Sequence, residues 1–127
     1  MRKAGYALPA LLTAAVIFYV SSLEKIELPL EVISFNDLLF HAAAYFFFGL
    51  TLMLAAYPWN ASLDYSLRVY IILGLIGVLY GLSDEIHHSL VPYRTCSISD
   101  FLADSFGVIL ALFVTSLWAK RRITHGN

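Results

Sequence analysis

The sequence predicts an all-α integral membrane protein, a bundle of four transmembrane helices with both termini in the cytoplasm. Three observations carry this. The 127 residues are 60% hydrophobic and only 13% charged, whereas an average soluble domain is roughly 45–50% apolar and about 25% charged. Four apolar stretches approach the roughly 20 residues that a helix needs to cross the hydrocarbon core. The basic residues divide unevenly between the two sides. Arg2, Lys3, Arg68, Lys120, Arg121 and Arg122 collect on one side, and Lys25 and Arg94 lie on the other. Lys and Arg mark cytoplasmic flanks, so an even number of spans returns both ends to the cytoplasm.

The spans follow in order. Ala4–Leu23 has no charge and is read as a retained anchor, because it exceeds the roughly 7–15-residue core of a secretory signal and Val20-Ser21-Ser22 is a weak cleavage site. Leu38–Tyr57 carries only His41 as a group that titrates near neutrality. The third span begins at Val69 and is uncharged to Ser83. It reaches full length only if it continues through Asp84-Glu85-Ile86-His87-His88 toward Leu90. Phe101–Ala119 contains Asp104 one turn from its start. Tyr57, Trp59 and Trp118 fall where interfacial aromatic belts are expected.

The connections are short, with Glu24–Asn36 and His88–Ser99 outside and Pro58–Arg68 inside. Asn60-Ala61-Ser62 fits the glycosylation acceptor pattern but falls on the cytoplasmic side and is read as chance. No linker or low-complexity tract divides the chain, so residues 1–127 are expected to form one domain. Cys96 is the single cysteine, which excludes an internal disulfide and a cysteine-rich metal site. With a net charge of −1 and no basic stripe beyond Lys120-Arg121-Arg122, no nucleic-acid partner is expected.

The acids are the informative residues. Glu24, Glu27, Glu31, Asp37, Asp84, Glu85, Asp100 and Asp104 all fall on the outer side, and only Asp64 on the other. Residues three and four apart share a helix face. Asp37, His41, Tyr45 and Gly49 make one stripe, and Gly74, Gly77, Gly81, Asp84/Glu85 and His88 a second. Asp100, Asp104, Gly107 and Ala111 make a third. Each stripe is polar outside and small further in. Small residues let membrane helices approach closely, so the faces that join the helices are also the faces that carry the ionisable groups. Convergence on one outward-facing pocket is the economical arrangement. A charge at a helix centre costs roughly 2.5–3.5 kcal/mol on insertion scales, and pairing of Asp104 with His41, His88 or Arg94 would relieve it.

Bland readings stand beside these. Asp37 and Asp100 suit helix N-termini as caps and dipole partners, and His41 suits a packed, hydrogen-bonded position. A faint repeat relates the segment 35–41 to the segment 98–104, which also follows if Asn, Ser and Asp simply favour helix starts. Glu85-Ile86-His87-His88 holds one Glu-x-x-His, where di-iron bundles need two. A single cation among Asp37, His41, Glu85, His88 and Asp100 is sterically conceivable, but no signature demands it. No metal is assigned, and any cofactor is left open. Arg94, after Val91-Pro92-Tyr93, could clamp a phosphate or pair with an outer acid.

On these residues the chain resembles the VanZ-like family of bacterial membrane proteins. The matching features are Ser21-Ser22, Asp37-x3-His41-x3-Tyr45, and Tyr80-Gly81-x2-Asp84-Glu85-Ile86-His87. Val91-Pro92-x-Arg94 and Ile98-x-Asp100-x3-Asp104-x2-Gly107 complete them. The resemblance implies a small four-helix domain, a multi-pass place in the bacterial cytoplasmic (inner) membrane, and a link to teicoplanin resistance through the founding member. It implies no known reaction. His88 stands where Gln is usual, Tyr93 where Gly is usual, and Asp104 where Asn is usual. The last adds an acid to the pocket, where cation binding would be particular to this chain.

The leading expectation is an envelope protein whose outer pocket takes a lipid headgroup, a lipid-linked cell-wall precursor or a glycopeptide. Its ligand-binding residues would be Asp37, His41, Tyr45, Asp84, Glu85, His88, Arg94, Asp100 and Asp104, and its partners the membrane lipids. The alternative is a membrane-embedded enzyme on a lipid or envelope substrate, with His41 and Glu85 as catalytic base and acid around a metal-activated water. A proton or ion pathway is a third reading, for which the apolar cytoplasmic half offers little continuation.

Overall fold

A computed structural model describes residues 2–23, 33–59 and 66–125, with side chains described over 4–23, 36–59 and 66–121. Glu24, Lys25, Glu27, Glu31, Asp64, Arg122 and the segment 60–62 lie outside the residues so described. The described chain is helical, without strands among those residues. It comprises α1 (Leu8–Ser21), α2 (Ile33–Ala56), α3 (Leu67–His88) and α4 (Ile98–His125). Short 3-10 turns stand at Arg2–Tyr6 and Tyr57–Trp59. Four helical stretches are long and apolar enough to cross a membrane: Ala4–Ser21, Asn36–Trp59, Leu67–His88 and Ile98–Arg121.

Local sequence sets the ends. Pro9 occupies the first turn of α1, where its missing N–H costs no helical hydrogen bond. The third span does run through its polar tail, because α3 continues to His88 before Ser89 closes it. Two starts differ from the expected ones. Helix α2 begins at Ile33, so Asp37 lies on its second turn and does not cap it. Helix α4 begins at Ile98, and its cap is Ser97, whose Oγ accepts the Asp100 N–H at 3.3 Å. A serine three residues before an acid is a helix-start signature, and it moves the start ahead of Ser99-Asp100.

The interior and exterior are reversed relative to a soluble protein. Leu11, Phe40, Phe47, Ile71, Leu79, Phe106 and Phe113 are exposed, while Asp84, Glu85, His88 and Asp104 are buried. Water as the surrounding solvent would select the opposite distribution. A hydrocarbon solvent selects this one, because polar groups must be satisfied inside the protein.

Helices α2 and α4 form the most extensive contact in the bundle, and small residues permit it. A Cβ on Gly107 would strike the Ala42 carbonyl and stand 2.9 Å from the Phe46 nitrogen. A Cβ on Gly49 would lie 2.7 Å from the Ala111 Cβ. Helix α3 approaches through Gly77, against Val108, and Gly81, against Asp104 and Tyr45. The core beneath is Ile17, Tyr45, Phe48, Leu52, Met53, Leu73, Val108 and Leu112. The three small-residue stripes therefore do face one another. The ionisable ends of those stripes come together at one end of the bundle, where α1 and α3 finish and α2 and α4 start.

Candidate functional site: a buried polar cluster beside an amphiphilic cavity

Helices α2 and α4 each contribute from their N-terminal portions. His41 Nδ1 meets Asp104 Oδ1 at 2.9 Å across the tight α2–α4 contact, and Asp104 is wholly buried. His41 Nε2 stands 3.9 Å from Asp100 Oδ2. The segments 35–41 and 98–104, which share a faint pattern, thus supply the two halves of this junction.

Helix α3 contributes Asp84, Glu85 and His88, all buried. Glu85 Oε2 accepts the backbone N–H of Ser97 at 2.8 Å. Carboxylate and helix start are thereby tied: Ser97 caps α4 with its hydroxyl and offers its N–H to α3. His88 Nδ1 lies 2.9 Å from Glu85 Oε1. The approach is badly aligned, so Glu85 Oε1 keeps no hydrogen-bond partner among the described residues.

The α3–α4 connection folds back over this end. Arg94 Nη1 donates to the Ser21 carbonyl at 2.9 Å and to His88 Nε2 at 2.7 Å. A guanidinium has donors only, so His88 Nε2 accepts and Nδ1 carries the ring proton. Arg94 therefore joins α1 to α3. The turn that delivers it passes through Tyr93, whose φ of +61° lies in the left-handed region that favours glycine.

A cavity of about 360 Å³ opens between α1, α2 and α3. Its lining mixes apolar Val16, Ile17, Val20, Phe40 and Ala44 with polar Ser21, Asp37, His41, Tyr45, Asp84, His88 and Arg94. A smaller cleft lies between His41, His88, Tyr93, Arg94, Thr95 and Asp100. Tyr45 Oη and Ser21 Oγ are buried without a well-aligned hydrogen-bond partner among the described residues, although Asp84 lies within hydrogen-bonding reach of Tyr45. Asp104 Oδ2 and Ser105 Oγ share that condition.

Nine residues were expected at the site, and the structure brings all of them to one end of the bundle. Asp37, His41, Tyr45, Asp84, His88 and Arg94 line the large cavity. Asp100 lines the small cleft. Glu85 and Asp104 sit in the cluster with His41. Residues 6–119 match the family model described as VanZ/LLP1. The chain belongs to this family.

Neither a curated protein nor a solved structure matches the chain. The VanZ/LLP1 membership and the four apolar helices together make it a VanZ-like membrane protein. Several site residues of this VanZ/LLP1 chain were not singled out as ligand-binding from sequence. From sequence Ser21 reads only as the end of the first span, yet its carbonyl anchors Arg94 and its buried hydroxyl has no hydrogen-bond partner among the described residues. Ser97 could have been found from the Ser-x-x-Asp spacing that marks a helix start. Tyr80 hydrogen-bonds the Ala14 carbonyl at 2.6 Å, and its place in the Tyr80-Gly81 motif was the available signal.

Proposed function

We propose that this VanZ/LLP1 protein resides in the bacterial cytoplasmic membrane with both termini inside. There it binds the headgroup of an envelope amphiphile in the cavity at the outer end of its bundle. The observation that carries this reading is the mixed apolar and polar lining of that cavity. Val16, Ile17, Val20 and Phe40 suit an alkyl chain, and His41, Tyr45, Asp84, His88 and Arg94 suit a polar head. Ligand sites are usually concave, mostly apolar, and about 300–1,000 Å³, with a few placed polar groups. The cavity volume suits the headgroup of a phospholipid or lipid-linked cell-wall precursor better than a whole glycopeptide antibiotic. A protein that holds such a precursor would lower teicoplanin's access to its target, the role suggested by the family.

The test is native mass spectrometry of protein purified in mild detergent, paired with teicoplanin susceptibility in cells. A retained lipid is expected, lost in Tyr45→Phe and Arg94→Ala variants that fold normally. Full retention of teicoplanin protection by Glu85→Ala and Arg94→Ala, at normal expression, would overturn the resistance role.

A further inference from the structure

Three helices bring one imidazole and two carboxylates to a common point. His41 of α2, Glu85 of α3 and Asp104 of α4 each offer one ligand atom, all within 4.8 Å of one another. Two more such groups flank it: Asp37, His41 and Asp100, which share His41, and Asp84, Glu85 and His88, which share Glu85. The central group is distinguished by what its acids lack. Glu85 is 1% exposed and Asp104 is 0% exposed. Yet Asp104 Oδ2 has no hydrogen-bond partner among the described residues, and Glu85 Oε1 has only the poorly aligned His88 Nδ1 at 2.9 Å. Buried carboxylate oxygens are normally paired, hydrogen-bonded or metal-bound. Water could hydrogen-bond them, but it brings no charge. Asp84 and Asp100 add to the same deficit of positive charge, and the neighbouring guanidinium gives its Nη1 donors to His88 and the Ser21 carbonyl.

We propose that His41, Glu85 and Asp104 form a divalent-cation site. One imidazole nitrogen and two carboxylate oxygens suit a first-row ion such as zinc or manganese. Ligand atoms around four-coordinate zinc stand roughly 3.4 Å apart, so side-chain rotation alone closes this group onto an ion. His41 and Asp104 are already at 2.9 Å. Three protein ligands leave a coordination position open, as in zinc sites that take a further ligand. His41 also lines the large cavity, so an ion held by it would lie beside that cavity. The ion would turn an acidic pocket into one that accepts an anionic headgroup oxygen. That consequence rests on the headgroup reading, whereas cation binding itself does not.

Full-length protein in nanodiscs, stripped with chelator, is titrated with zinc chloride and separately with manganese chloride by calorimetry, with thermal unfolding in parallel. Saturable binding of one equivalent and a raised melting temperature are expected. Glu85→Gln and Asp104→Asn are each expected to weaken binding by at least about tenfold, with helicity unchanged by circular dichroism. His87→Gln and Cys96→Ser serve as controls and should leave affinity unchanged, since His87 packs on Phe18 and Ser22 and Cys96 is exposed. Absence of saturable binding would overturn the site, and so would wild-type affinity in both Glu85→Gln and Asp104→Asn, or loss of binding in a control. Cation binding without any retained lipid would leave the site standing and remove the headgroup reading.

Discussion

His41 and Asp104 are 63 positions apart in the chain and joined by a 2.9 Å hydrogen bond between Nδ1 and Oδ1. Each is the natural partner of the other. Asp104 is wholly buried, and His41 sits at the edge of the cavity. Removing one partner of a buried charged pair strands the other at a cost of about 3–5 kcal/mol, whereas replacing both with apolar residues is often near neutral. His41→Leu is therefore expected to lower stability by that amount, and His41→Leu/Asp104→Leu by much less. Reversible unfolding in detergent measures the cycle. Additive losses would show that the two side chains do not depend on each other.

The packing that makes this junction predicts a second contrast. Gly107 leaves no room for a Cβ between itself and the α2 backbone at Ala42 and Phe46, which cannot rotate away. At Gly74 the nearest atom is the Leu112 Cδ1 at 3.4 Å, the end of a flexible side chain. Overpacking a core costs about 1–3 kcal/mol where side chains can adjust. Gly107→Ala should exceed that range and separate α2 from α4, while Gly74→Ala should cost less than about 1 kcal/mol. Melting temperatures of the two purified variants decide the matter.

The loop that carries Arg94 supplies a third test. Tyr93 adopts a left-handed backbone, which costs an L-residue with a Cβ roughly 1–2 kcal/mol that glycine escapes. Its ring is exposed, so little packing is lost on truncation. Tyr93→Gly is expected to stabilise the protein by up to about 1 kcal/mol, after the greater freedom of glycine in the unfolded chain is set against the relief. A lower melting temperature would mean that the ring, not the backbone, governs this turn.

The convergence of polar groups was legible because lipid leaves few options. Gly77, Gly81, Asp84, Glu85 and His88 fall on one face of a helix by spacing alone, and all are buried. Small residues below acids in α2 and α4 completed the argument, since the same faces must pack. Pairing was harder to foresee. Asp104 had three eligible partners, and spacing within a helix says nothing about the rotation of its neighbour. Arg94 was expected on a phosphate or an acid and instead donates from Nη1 to a carbonyl and an imidazole. Its direction is set by the turn at Tyr93, which the sequence marks only through a residue type that disfavours it. The apolar spans suggest starts at Leu38 and Phe101, later than the Ile33 and Ile98 starts of α2 and α4, because Asp37 and Asp100 resemble caps. Ser97, the true cap of α4, is one residue before the first apolar position.

Two tyrosines separate binding from architecture. Tyr80 Oη donates to the Ala14 carbonyl at 2.6 Å and holds α1 against α3. Tyr45 Oη is buried with no well-aligned partner among the described residues, Asp84 being the nearest candidate, and Tyr45 lines the cavity. A hydrogen bond contributes about 1 kcal/mol net, while a buried hydroxyl without a partner carries an uncompensated desolvation penalty of about 1–3 kcal/mol. Tyr80→Phe should therefore destabilise the protein by about 1 kcal/mol, because it removes a hydrogen bond between α3 and the α1 backbone. Tyr45→Phe should leave the fold unchanged or stabilise it. If the Tyr45 hydroxyl is kept for a ligand, the same substitution weakens headgroup binding while the melting temperature holds or rises. Lipid retention by native mass spectrometry, set against thermal unfolding, reads both effects in one preparation. A Tyr45→Phe protein that melts lower and still retains its lipid would reverse the assignment, making Tyr45 a structural residue.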